Sequence, residues 1–221
     1  MKAFIRATLA AALLLGGLAC GFAAAAPLQG NPVAGGKKTA MCLGCHGIYD
    51  YKTGFPVVLR VPKIFGQNAR YIANALAEYK RGERKHPSMR AIAETLSDQD
   101  MADLGAYFES KGTVTAVRGS GSGDAAEALA LIGRGGCPAC HGANFNKPVD
   151  PGYPKLAGQY SDYLYYALEA YKSNDKPFIG RGNPIMSAMA KQFTDGQLQA
   201  ITQYIEGLPG DVITVQNSRF R

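Results

Sequence analysis

The chain has 221 residues, with 24 Lys and Arg against 17 Asp and Glu, three His, five Cys, no Trp and a formal net charge of +7. Its basic residues are scattered rather than clustered, which excludes an obvious nucleic-acid surface. A mild basic bias of this kind steers docking to an acidic partner or an anionic membrane surface.

The first residues, Met1, Lys2, Ala3, Phe4, Ile5 and Arg6, are basic, and the chain then runs apolar through Leu13, Leu14, Leu15 and Leu18 to the small residues Ala23 to Ala26. This order is that of a secretory signal peptide, residues 1–25, cleaved near Ala25. A retained anchor would need a longer apolar run and a charged stop. Lipidation at Cys20 is disfavoured because Gly17, Leu18 and Ala19 fit a lipoprotein cleavage box poorly. The expected location is the periplasm. Without Lys2 and Arg6 there remain 22 basic residues against 17 acidic, and residues 27–111 carry 12 against 8.

Cys42, Leu43, Gly44, Cys45 and His46 recur as Cys137, Pro138, Ala139, Cys140 and His141. Two thiols one turn apart form thioethers to the two vinyl groups of one haem, and the adjacent imidazole is delivered to its iron. A thioredoxin-like pair would sit beside a βαβ pattern, which is absent, and needs no following His. Structural zinc takes four ligands, whereas these residues would make six. Plain disulfides would leave both histidines without a role. The repeated motif therefore predicts two covalently attached haem c groups, held through Cys42, Cys45, Cys137 and Cys140, with His46 and His141 on iron.

The repeat extends beyond the cysteines. Pro62, Lys63, Ile64, Phe65, Gly66 and Gln67 match Pro154, Lys155, Leu156, Ala157, Gly158 and Gln159. Each turn leads into an amphipathic helix, with Tyr71, Ile72, Ala75, Leu76 and Tyr79 on one core face and Tyr163, Leu164, Ala167, Leu168 and Tyr171 on the other. His86 to Ala93 aligns without a gap with Asn183 to Ala190. Ser97 with Asp100, and Thr194 with Gln197, then stand at capping-box spacing before a last helix in each half. Met101, Leu104, Tyr107 and Phe108, and their equivalents Leu198, Ile201, Tyr204 and Ile205, form its buried stripe.

Gly and Ser crowd residues 112–123, which reads as a flexible linker, and Asp124 is placed to cap the next helix. The division is thus residues 26–111, a linker, and residues 124–221. No alternating strand pattern of any length intervenes, so the class is all-α: two tandem domains, each wrapped round one haem. Domains of this size have modest side-chain cores, so the protein without haem is expected to fold poorly.

The sixth ligand separates an electron carrier from a reactive centre. Met89 and Met186 stand in equivalent places, 43 and 45 residues beyond His46 and His141. A thioether on iron raises the potential, and filling both axial positions keeps out oxygen and peroxide. Met189 is an alternative to Met186, but its partner in the first repeat is Ile92, which cannot ligate. His86 is read as a solvent-facing loop residue. Pro62 and Pro154 are candidate carbonyl partners for the ligating imidazoles, and Arg60, Arg84 and Arg181 are candidate partners for haem propionates.

With these motifs in view, the chain resembles the class I cytochromes c and specifically the di-haem cytochrome c4 family, over nearly all of its mature length. The resemblance implies two cytochrome c folds related by a pseudo-twofold axis, with haems close enough to exchange electrons. It also implies a periplasmic or loosely membrane-associated protein, not an enzyme, whose redox partners are a quinol-oxidising complex and a terminal haem-copper oxidase. The alternative is an electron-transfer subunit of a multi-subunit dehydrogenase, such as a sulfide-oxidising flavocytochrome. A di-haem peroxidase is disfavoured, because both repeats offer Met. The chain departs from strict repetition in a longer loop between His46 and Pro62 and an insertion around Phe178 to Gly182.

Overall fold

The computed structural model describes residues 28–112 and 124–215. The expected signal peptide and nearly all of the expected linker lie outside them.

The first half begins with α1 (Pro32–Gly36), started by Asn31, whose side-chain oxygen accepts from the amides of Val33 and Ala34. α2 (Ala40–His46) carries the first cysteine motif, and α3 (Ala69–Arg81), α4 (Pro87–Glu94) and α5 (Asp98–Glu109) follow. The second half repeats the order with α6 (Ala125–Arg134), α7 (Pro138–His141), α8 (Ser161–Lys172), α9 (Pro184–Ala190) and α10 (Asp195–Gly207). Both expected capping boxes form, at Ser97 with Asp100 and at Thr194 with Gln197, and Asp124 caps α6. Each satisfies backbone donors that a helix start leaves unpaired.

The final helix of each half is the packing platform. α5 carries α1 and α3, and α10 carries α6 and α8. Close crossing in the first half depends on glycine: a Cβ on Gly35 would lie 2.0 Å from the Asp103 carbonyl oxygen, and one on Gly105 would lie 2.4 Å from that of Ala69. One core gathers Phe65, Ile72, Leu76, Met101, Leu104 and Phe108. The other gathers Leu131, Ile132, Phe145, Leu164, Phe193, Leu198, Ile201 and Ile205. The apolar positions predicted from helical spacing thus face inward.

The strands among the described residues are two residues long and fall where the repeats differ. β1 (Lys52–Thr53) and β2 (Leu59–Arg60) pair antiparallel within the longer loop of the first half. β3 (Arg84–Lys85) pairs antiparallel with β4 (Gly180–Arg181), with Arg84 opposite Arg181 and Lys85 opposite Gly180, so the insertion in the second half serves as a seam between halves.

Further contacts join the halves. The Pro-Lys-x-x-Gly-Gln turns face each other across the pseudo-twofold axis. Gln67 donates to the Lys155 carbonyl at 2.9 Å and accepts from the Lys155 amide at 2.8 Å, while Gln159 donates to the Lys63 carbonyl at 2.8 Å and accepts from the Lys63 amide at 3.0 Å. Beyond α10 the chain returns to the first half, where the Ile213 amide donates to the Phe65 carbonyl at 2.9 Å.

Candidate functional site

Cys42, Cys45 and His46 lie on α2, one helical turn from end to end, which brings both thiols and the imidazole to one side. They line a single apolar cavity together with Met89 from α4 and Leu59, Ile72, Leu76, Leu104 and Phe108. The His46 Nδ1–H donates to the Pro62 carbonyl at 2.8 Å. That hydrogen bond fixes the tautomer and leaves Nε2 for a metal. Burial holds the imidazole below its ordinary pKa against the opposing effect of the carbonyl, so the ring is neutral and able to ligate. Burial, and then the neighbouring Cys45, push the Cys42 thiol up to about 11.

The second motif makes the matching imidazole contact. Gly136 and Gly142 flank α7 with φ of +60° and +79°, turning the chain sharply on both sides of Cys137 to His141. A Cβ on Gly142 would lie 2.0 Å from the Lys147 carbonyl oxygen. His141 is buried, held below its ordinary pKa by that burial, and its Nδ1 is 3.3 Å from the Pro154 carbonyl. Both prolines named from the repeat therefore meet the imidazole of their own half.

The two methionines sit in matching frames. His86 caps α4 and accepts from the Met89 amide at 3.4 Å; Asn183 caps α9 and accepts from the Met186 amide at 3.0 Å. Asparagine and histidine thus do the same work at equivalent positions. His86 is a half-buried helix cap, not the solvent-facing loop residue expected from the sequence, because it starts α4 and its ring accepts from the Met89 amide. Met189 has its sulfur 3.7 Å from the Gln192 amide nitrogen, which donates to it.

Of the three arginines considered for carboxylate pairing, Arg60 is already taken. It forms ion pairs with Asp162 at 2.9 Å and Glu206 at 2.8 Å across the domain boundary and lies 4.4 Å above the Tyr160 ring. Arg84 lines the cavity, and its buried Nε has no hydrogen-bond partner among the described residues. A buried guanidinium donor left free calls for an acceptor. A haem brings two carboxylates, and the cavity offers it two thiols, an imidazole, a thioether and apolar walls. The residues present fit the group. Zinc fits poorly: among the described residues no group of three or more His, Cys, Asp or Glu side chains is arranged to hold a metal ion. Free thiols at Cys42, Cys45, Cys137 and Cys140 likewise leave the disulfide reading without support.

Sequence reasoning missed Gln67, Gln159, Glu78 and the tyrosine setting of Arg84 and Arg181. The glutamines stood in plain view within the repeated turn, but a repeat does not reveal that its two copies face each other.

The cytochrome c family model matches residues 125–209. Cytochrome c4 of Azotobacter vinelandii is 32% identical over 209 residues, covering 86% of this chain and 95% of that protein. The crystal structure of reduced recombinant cytochrome c4 from Pseudomonas stutzeri superposes with a TM-score of 0.61 at 30% identity, covering 81% of this chain and 99% of that one. A protein described as a thiosulfate dehydrogenase electron acceptor, from Stutzerimonas stutzeri, is 30% identical over 183 residues, 79% of each chain. On this likeness and the two motif-bearing sites, the chain belongs to the cytochrome c4 family, a di-haem electron-transfer protein with two covalently bound haem c groups.

Proposed function

We propose that the chain is an exported, periplasmic carrier that passes single electrons between a quinol-oxidising complex and a terminal haem-copper oxidase, with no chemical substrate of its own. In this reading Cys42 and Cys45 hold one haem and Cys137 and Cys140 the other, within domains of residues 26–111 and 124–221 joined by the connector 112–123. His46 with Met89, and His141 with Met186, would hold the two irons. The single observation that carries the reading is the meeting of Cys42, Cys45, His46 and Met89 around one apolar cavity. When bound, each haem supplies a one-electron ferric/ferrous couple.

The chain's residues supply the rest. With one imidazole and one thioether to hold each iron, oxygen and peroxide would find no place to bind. The carbonyls of Pro62 and Pro154 orient the imidazoles, and the apolar walls exclude water, which limits rearrangement on electron transfer. Met186 is preferred to Met189 because it stands where Met89 stands and because the Met189 sulfur already accepts from Gln192.

A second reading has an observation of its own. The relative described as a thiosulfate dehydrogenase electron acceptor makes an electron-accepting subunit of a sulfur-compound dehydrogenase the leading alternative. The test uses purified exported holoprotein. Two haems per chain, an iron–methionine sulfur charge-transfer band for both, and no carbon monoxide binding are expected. Rapid-mixing kinetics then separate the partners: fast oxidation by oxidase-containing membranes supports the respiratory role, and fast reduction by a thiosulfate dehydrogenase alone supports the alternative.

A further inference from the structure

The hydrogen bonds that join the two turns and those that hold the two imidazoles run through the same peptide groups. His46 donates from Nδ1 to the Pro62 carbonyl at 2.8 Å, and the N–H of that same peptide, which belongs to Lys63, donates to Gln159 Oε1 at 3.0 Å. In the other half the His141 Nδ1 is 3.3 Å from the Pro154 carbonyl, and the Lys155 N–H of that peptide donates to Gln67 Oε1 at 2.8 Å. Each imidazole is thus one peptide away from a glutamine of the opposite half.

Both glutamines are held in this orientation. Gln159 Oε1 also accepts from the Tyr160 amide at 3.1 Å, and Gln67 Oε1 from the Asn68 amide at 3.0 Å. Their Nε2 groups donate to the Lys63 and Lys155 carbonyls at 2.8 and 2.9 Å. A flipped amide would set donor against donor, so the oxygen stays on the peptide N–H. With 3% of either residue exposed, water does not take its place.

A peptide whose N–H donates carries more negative charge on its carbonyl oxygen, and bonds in such a chain strengthen one another by about 10–30% each. A stronger acceptor on Nδ1–H makes the imidazole a more basic ligand at Nε2. A more basic ligand favours ferric over ferrous iron. We propose that Gln159 and Gln67 are positioning residues that act crosswise: each polarises the peptide that holds the imidazole of the other half, and so lowers the potential of the site to which it does not belong. This deepens the carrier reading and rests on it, for it makes the contact between the halves part of the setting of each iron.

The test is an optical redox titration of the holoprotein as wild type, Gln159→Leu and Gln67→Leu, after haem content and the iron–methionine band have been checked in each. Leucine fills much of the same space and offers the peptide N–H no acceptor. Met89→His and Met186→His variants assign each wave to a half. Gln159→Leu is expected to shift the first-half wave toward reduction by at least about twofold, or about 18 mV on the scale where tenfold is 59 mV for one electron. Gln67→Leu shifts the second-half wave in the same sense, and each variant moves the wave of its own half less. Both glutamines line the first cavity, so a direct effect on that site would move the first-half wave in both variants, whereas a loosened seam would move both waves together. Either pattern, or no shift, overturns the crosswise role.

Two further readouts stand apart from the potentials of the leucine variants. In the reduced protein the Nδ1–H proton resonance of His46 should move upfield in Gln159→Leu, and that of His141 in Gln67→Leu; resonances that stay in place count against the relay. Gln159→Glu and Gln67→Glu keep an oxygen for the peptide N–H and should leave the opposite wave at or below its wild-type potential, while a rise would contradict the proposal even if the leucine variants did not fold. A wild type without two reversible one-electron waves or without the iron–methionine band fails the carrier reading and takes this role with it. A wild type that passes, with the opposite waves unmoved in the variants, overturns the role of the glutamines alone.

Discussion

Gln67 and Gln159 each bind the main chain of the other's turn, Gln67 at Lys155 and Gln159 at Lys63, by paired hydrogen bonds of 2.8 to 3.0 Å. Each amide satisfies one donor and one acceptor of a buried loop, as a neighbouring strand would. Both side chains are 3% exposed, so water cannot replace them. These two side chains, which also line the cavity of the first site, therefore help to join the halves.

Replacing either glutamine with alanine leaves a buried amide and carbonyl unpaired, at a cost of about 1–3 kcal/mol. Calorimetry on Gln67→Ala and Gln159→Ala should show reduced cooperativity between the halves, while haem spectra stay as in the wild type. Unchanged melting in both variants would mean that the seam is held elsewhere.

Arg60 is the second clasp, and it is one-sided, since Gly152 stands at the matching position before the second turn. Burial pushes the Glu206 carboxyl up, but its hydrogen bonds from Ser161 and Arg60 outweigh that and hold it below the usual range. A depressed carboxylate contributes stability above its unfolded pKa and loses it as pH falls through the folded value. Arg60→Met should cost about 2 kcal/mol at neutral pH, the scale of hydrogen bonds to a charged group. Denaturation curves from pH 7 downward should converge for the two proteins at low pH; a constant gap would rule out the Glu206 pair as the cause.

Lys38 ties α1 to α5 through Asp100 at 2.5 Å and Asp103 at 2.7 Å. The Lys38 hydrogen bond first, then those of the Asn31 amide and Gln99, hold the Asp103 carboxyl down at about 2. Its stabilising effect is full above the unfolded carboxylate range and is lost as pH falls toward 2. Asp103→Asn should be less stable than wild type at pH 7 and indistinguishable near pH 2, read by urea titration at each pH. Equal stability at pH 7 would contradict the role given to this network.

Met186→Ala should open one iron to carbon monoxide and remove half of the charge-transfer band, whereas Met189→Leu should leave both features as they are. The same pair of variants read by near-infrared spectroscopy would reverse the assignment if Met189→Leu were the one to lose the band. Met89→Ala is expected to act as Met186→Ala does, at the other site.

Spacing made the helices and their inner faces legible. Ile72, Leu76 and Tyr79 on α3, and Met101, Leu104 and Phe108 on α5, are buried where a 3.6-residue period puts them. The short strands were not legible, because two residues carry no alternation, and pairings such as Lys85 with Gly180 join segments far apart in the chain. His86 was misjudged for a related reason. It was read as a loop residue, but it starts α4, where its ring accepts from the Met89 amide.

The sequence by itself determined the chemistry. Cys-x-x-Cys-His is a local geometry, complete within one helical turn, and its repetition with a methionine at matching distance needs no tertiary information to specify two like sites. Only the tertiary structure decided how the copies differ and how they are joined. Whether Glu78 meets a guanidinium, whether Arg60 is free for a ligand or spent on Glu206, and what two identical glutamines bind all depend on groups distant in the chain. Such contacts follow from packing two domains face to face, and no pattern along one strand of sequence encodes which faces meet.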